Sequence, residues 1–190
     1  MKRMIAAGIC AVLLLCTGCA ESSTEAPETA QGLNVQADEG VDAEYAECLK
    51  AYFEAVEHRD YDAYRAVLYP PYAEAYSAYL EKEGTDPKDA FAELCSQFDE
   101  DGYESWTLTE LTVSYYPEEK VDLDDFFKRY ASAGIFDNDF GEKCKKEAEE
   151  IRDLQFSLYA LYAGDEEAVP VVKGSELIAV KTADGTYLFG

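Results

Sequence analysis

The chain has 190 residues, 40 of them Asp or Glu against 16 Lys or Arg, for a formal net charge of −24. No basic patch interrupts the acidity, so the field repels phosphate backbones and anionic lipid headgroups, and nucleic acid is excluded as a partner. A single histidine, His58, excludes His-rich metal sites and histidine relays.

At the N-terminus Lys2 and Arg3 precede an uncharged run from Met4 to Cys16. It is shorter than the ~20 apolar residues that cross a bilayer and has the form of an export signal. It ends Cys16-Thr17-Gly18-Cys19, a small pair directly before a cysteine. This order resembles the lipobox of bacterial lipoproteins and departs from it only at Cys16, where an apolar residue such as Leu is usual. The resemblance implies that residues 1–18 are removed as a signal peptide. It implies too that Cys19 carries a diacylglycerol and that the protein is held through this lipid on the outer face of the cell membrane. A plain secretion signal, cut near Gly18 or Ala20, is the alternative. Each buried lipid methylene contributes ~0.8 kcal/mol, so a group with two or three chains is a firm anchor. Loss of Lys2 and Arg3 takes the net charge from −24 to −26, which favours solubility and self-repulsion on a crowded surface.

Residues 19–40 follow as a lipidated tether. Leu33 and Val35 are the only large apolar residues among Glu, Ser, Thr, Ala, Pro, Gln and Gly, too few to offset ordering entropy. A disordered coil of this length reaches ~25 Å.

Residues 41–190 are enough for a single domain with its own core. Val41, Tyr45, Leu49, Tyr52, Phe53 and Val56 recur at helical spacing behind Asp42, a candidate N-cap. After an exposed turn at His58–Asp60 comes a short helix from Asp62 to Leu68. Pro71 lies in the first turn of the next, which Gly84 closes, with Tyr72, Tyr76, Tyr79 and Leu80 on one side. Asp86 and Pro87 open a fourth helix, with Phe91, Leu94, Cys95 and Phe98 facing inward.

Beyond Gly102 the period becomes two. The segment YESWTLTELTVSYY reads as a strand, with Trp106, Leu108 and Glu110 on one face and Thr109, Leu111 and Val113 on the other, ended by Pro117. Asp122 to Gly134 is predicted as a helix, and another runs from Phe140 into Arg152. Three strands close the chain: LQFSLYALYAG, VPVV, and ELIAVKTADGTYLF, which turns at Asp184-Gly185. The order specifies an α+β domain with N-terminal helices packed on a curved, mostly antiparallel sheet.

The opening AYFEAVEHRDYDAYRAVLYPP, the Trp-bearing strand and the closing hairpin with TYLF resemble the cone-shaped fold of nuclear transport factor 2 and ketosteroid isomerase. More narrowly they resemble small extracytoplasmic lipoproteins of Clostridia that carry that fold. GDEEAVPVV shortens the long closing strands usual there. A cystatin-like helix on a sheet is the alternative. The resemblance implies a cone whose open end can hold a small molecule. The candidate pocket is then Trp106, Glu110, Tyr116, Tyr159 and Tyr162, where a buried carboxyl among tyrosines would have a raised pKa.

No serine elbow, phosphate-cradling loop or calcium-loop spacing is present, and no catalytic residue, metal or cofactor is expected. Cys48, Cys95 and Cys144 lie on apolar helix faces and are expected to be reduced and buried. The 15 tyrosines are the most unusual feature. Tyr64, Tyr72, Tyr76 and Tyr79 form either a half-buried helical face or an interface for a protein or glycan. The expected function is a non-enzymatic, membrane-anchored module that binds a partner protein or envelope polymer. A small-molecule binder or cryptic enzyme working inside the cone is the alternative, and an internal cavity of several hundred Å3 would distinguish the two. Oligomeric state is open.

Overall fold

The computed structural model describes residues 32–100, 102–117 and 122–190. The expected signal peptide, Cys19 and the expected tether as far as residue 31 lie outside the described residues. Helix α1 (Ala43–Glu57) buries Tyr45, Leu49, Tyr52, Phe53 and Val56. Asp42 occupies the N-cap, but its side chain makes no cap bond; its backbone N–H donates to the Tyr115 hydroxyl (3.3 Å). The chain leaves α1 through exposed His58 and Arg59, whose φ of 54° is left-handed, and enters α2 (Tyr61–Val67). There the Asp60 carboxylate accepts from the N–H groups of Asp62 (3.1 Å) and Ala63 (3.0 Å), satisfying two donors that helix geometry leaves free.

Helix α3 (Pro70–Glu83) starts on proline and stops at Gly84, whose φ of 85° frees the Thr85 N–H to reach the Leu80 carbonyl. Helix α4 (Pro87–Ser96) is capped by Asp86 as its sequence predicts, the carboxylate accepting from the Lys88 N–H at 2.8 Å. Helices α5 (Leu123–Ser132) and α6 (Phe140–Glu147) form a hairpin between the second and third strands. The last helix is shorter than predicted. Ala148 is already extended and the Glu149 N–H donates to the Lys181 carbonyl, so sheet pairing captures the segment that helical spacing carried to Arg152.

The sheet runs β1 (Asn34–Ala37), β2 (Trp106–Tyr115), β3 (Glu150–Tyr162), β4 (Val169–Thr182), β5 (Gly185–Leu188), in spatial order β1-β2-β3-β4-β5. The first pair is parallel and the rest antiparallel. Together with six helices among the described residues, this curled sheet makes an α+β fold. Strand β1 lies inside the segment read as tether: residues 34–37 pair with Glu110–Val113, and Leu33 is buried. The predicted VPVV and ELIAVKT strands are one strand, because a bulge beside Lys173-Gly174 carries the pairing through without a break. The closing strands β3 and β4 are therefore long, at 13 and 14 residues.

A second bulge decides which face of β2 is buried. Pairing shifts between Leu108 and Glu110, so Leu108, Leu111 and Val113 are all buried against α1. Strict alternation would have put Leu108 opposite Leu111; the extra residue brings them to one face. They meet Leu154, Phe156, Leu158 and Ala160 of β3, with Phe53 against Phe156 at 5.0 Å between ring centroids. Each fully buried Leu or Phe contributes roughly 1.5–3 kcal/mol relative to exposure.

At its β4–β5 end the sheet is buried on both sides. Ile178, Ala179 and Val180 are consecutive and all buried, although alternation points them to opposite faces. Ala179, Lys181, Thr186 and Leu188 face α1, where the Lys181 ammonium and Thr186 hydroxyl reach Glu44. Ile178, Val180, Tyr187 and Phe189 face the other way, toward an aromatic cluster from α3, α5 and α6.

Candidate functional site

The interior between α1 and the sheet is filled by its own side chains: Tyr45, Leu49, Val56, Leu111, Leu154 and Leu158 are each 0% exposed. Two surface clefts among the described residues lie elsewhere. One of ≈390 Å3 opens between α2 and α3 beside Arg65, Leu68 and Glu74, the other of ≈220 Å3 between α5 and α6 beside Phe127 and Lys145. None of the five predicted pocket residues lines either cleft.

Those five residues do not share a wall. Tyr162 is buried, its hydroxyl donating to the Phe98 carbonyl (3.2 Å) and its ring against Tyr103 (4.8 Å). Trp106 packs on Phe98, and its indole N–H donates to Asp99 Oδ1 (2.9 Å), which also receives the Arg59 guanidinium (2.6 Å). Those two bonds hold the Asp99 carboxyl below its ordinary pKa. Glu110 and Tyr159 are instead paired across strands on the face away from α1, and Tyr116 stands at the end of that face. The β2 bulge separates Trp106 from Glu110, and plain alternation along β3 separates Tyr162 from Tyr159.

The face away from α1 is open over much of β2, β3 and β4. Glu110, Thr112 and Ser114 stand opposite Tyr159, Ser157 and Gln155, and Gln155 stands opposite Glu176. All are partly or fully exposed. Asp153 sits on the same face with its Oδ1 buried and without a hydrogen-bond partner. Burial first, then the charge of Glu176, pushes the Asp153 carboxyl up to about 6. The same Glu176 charge raises the Tyr116 hydroxyl. The neighbouring cation of β3, Arg152, points to the opposite face, where it donates to Glu150 Oε1 (2.6 Å) and lies 5.3 Å from the Tyr115 ring. Glu110, Asp153 and Glu176 give this open face three carboxylates, and none of the residues named on it is Lys or Arg, so it suits a partner that brings positive charge. Sequence reading missed Asp153 and Glu176. The signal was present, since Leu154, Phe156 and Leu158 at period two put Asp153 on the other face of the strand.

Of the predicted interface tyrosines, Tyr64 and Tyr72 belong to the core, at 8% and 1% exposure. Their rings are spent on Tyr52, Phe91, Phe136 and Phe189, and the Tyr72 hydroxyl donates to the Gly190 carbonyl oxygen. Tyr76 and Tyr79 continue outward from Tyr72 as a stacked ladder with centroids 5.6 and 6.4 Å apart. Stacking on one another leaves few ring faces for a ligand.

Cys48, Cys95 and Cys144 are free and buried, as expected. Burial pushes the Cys48 thiol up to about 12 and the Cys144 thiol to about 11. Because the thiolate is the reactive form, native protein at pH 8 is expected to resist an aromatic disulfide reagent for many minutes, and to react at all three thiols once denatured. Rapid reaction of the folded protein at any of the three would contradict this burial.

Among the described residues no group of three or more His, Cys, Asp and Glu is placed to hold a metal ion, and no helix is long and apolar enough to cross a membrane. No family model, curated protein or solved structure matches the chain.

Proposed function

We propose that this protein is an extracytoplasmic lipoprotein, anchored by lipid on Cys19, whose domain is a non-enzymatic binding module. Its docking surface is the open face of β2, β3 and β4, and its partner is a protein or envelope polymer presenting positive charge. The cone-like likeness to nuclear transport factor 2 belongs to the same reading, supported by the order of helices and the curled, mostly antiparallel sheet. One observation carries the choice of a surface over an interior site: the interior is packed with its own Leu, Phe and Tyr side chains, while a continuous polar face remains uncovered. A face with Glu110, Asp153 and Glu176 draws cationic groups from solution and rejects acidic competitors.

The experiment is site-specific photocrosslinking in the native envelope, with the reactive residue at Ser157 on the open face or at Glu81 on the exposed side of α3. A discrete adduct from Ser157 and none from Glu81 is the expected result. Adducts from Glu81 alone would move the docking surface to the helices. The anchor is tested separately: Cys19→Ala is expected to abolish incorporation of labelled fatty acid and release the protein from the membrane fraction. Retention of both label and membrane association would remove the lipid assignment.

A further inference from the structure

The hairpin Leu123–Glu147 differs from the rest of the domain in how it is attached. Internally it is complete. Asp122 caps α5 through the Asp125 N–H (2.8 Å), Lys145 pairs with Asp124, and Phe136 stacks on Phe140 at 3.9 Å and on Tyr130 at 5.0 Å. Gly141 allows the two helices to close. A Cβ there would stand 2.8 Å from the Phe127 ring, so no larger residue fits without moving α5.

Outward, among the described residues, no backbone hydrogen bond joins this unit to the sheet or to the other helices. Its contacts are made by side chains. Phe126, Phe127, Phe136 and Phe140 surround Phe189 at 5.5–6.4 Å, Phe136 meets Tyr72 at 6.0 Å, and Phe140 meets Tyr69 at 6.5 Å. The Tyr69 hydroxyl donates to Glu147 Oε2 (3.0 Å), and Glu147 is otherwise exposed. Strand β3, by contrast, is paired along both edges.

From this geometry we infer that Leu123–Glu147 is a lid that opens as one body. Opening breaks aromatic contacts and the Tyr69–Glu147 bond but no ladder of backbone bonds, so it is separable from global unfolding. It uncovers Tyr69, Tyr72 and Phe189, an aromatic surface that is 1–3% exposed when closed. The device covers the β4–β5 end of the same side of the sheet as the open face, where Ile178 stands opposite Asp153.

Native-state hydrogen exchange on the whole mature protein, in rising sub-denaturing urea, tests it. Amides of α5 and α6 are expected to share one isotherm, to exchange at least ~100-fold faster than those of β3, and to show a urea dependence less than half as steep. Tyr69→Phe, which keeps the ring and removes the donor, should speed the lid amides roughly fivefold without steepening that dependence. Convergence of α5 and α6 with β3 on a single isotherm would overturn the proposal. So would exchange residue by residue from the helix ends with no common slope, which is fraying, or lid rates that Tyr69→Phe leaves unchanged.

Discussion

Phe189→Ala is expected to lower the free energy of unfolding by about 3–5 kcal/mol, the range for deleting a buried aromatic ring. Phe189 is 2% exposed and lies one residue beyond β5, with its N–H donating to the Ile178 carbonyl (2.8 Å). Six rings surround it, from Tyr69 and Tyr72 on α3 side of the cluster to Phe126, Phe127, Phe136 and Phe140 on the hairpin. Two of the six come from the start of α3 and four from the hairpin, so the rings close around one point from two sides. Edge-to-face geometry, as with Tyr72 at 64° and Phe126 at 80°, adds roughly 0.5–1.5 kcal/mol per pair beyond area burial. In a domain of this size the change corresponds to a fall in Tm of roughly 10 °C. Phe189→Leu keeps most of the volume and should cost less than about 1.5 kcal/mol. Urea unfolding followed by tryptophan fluorescence measures both. A loss below 1 kcal/mol for the alanine variant would mean that the cluster does not depend on the chain end.

The helices were legible because each carries its own instructions. Asp86-Pro87 starts α4 and Gly84 ends α3 through local bonds that need no tertiary partner. Strand β1 was not legible for the opposite reason. Asn34, Gln36 and Ala37 bury little, and their strand exists because β2 offers a free edge to residues 34–37. The same holds for the end of α6, which competes with the Glu149–Lys181 pairing, and for the join of the two halves of β4. The candidate pocket failed to assemble at two places: a bulge after Leu108 leaves Trp106 on the core side and turns Glu110 to the open face, and Tyr159 and Tyr162, three residues apart on β3, take opposite faces by alternation alone. Bulges carry no sequence signature in Thr109, so the faces beyond them cannot be read by counting. The tyrosines divide by depth along α3, Tyr72 in the core and Tyr79 near water, which spacing alone does not reveal.

Asp153→Asn is expected to stabilise the protein at pH 7 by about 1 kcal/mol, against the usual direction for a substitution in a strand. The sign follows from the carboxyl's position. Asp153 is half-buried, its Oδ1 has no hydrogen-bond partner, and Glu176 adds like charge, so its pKa is pushed up to about 6 in the folded state. An unfolded Asp titrates near ~3.9. Between those values the folded protein holds the proton more tightly, so the ionised carboxylate penalises folding fully above the folded pKa and not at all below the unfolded one. Solvent reaching the exposed half of the side chain keeps the effect well below the full value of the shift. Other carboxylates run the opposite way. Glu150 is held below its ordinary pKa by the Tyr45 hydroxyl and by Arg152, and Asp99 by Trp106 and Arg59; their contributions are lost as pH falls. The total stability curve therefore mixes both signs, and the difference between variant and parent isolates Asp153. That difference should be near zero at pH 4, rise through pH 5–6 and level off above pH 7, as measured by urea unfolding at each pH. A flat difference would place Asp153 in ordinary solvent and take from the open face its one carboxylate with an unsatisfied buried oxygen. A curve of the predicted shape would show that the face holds an unneutralised charge in the free protein, which a cationic partner would relieve on docking by releasing a proton near pH 6.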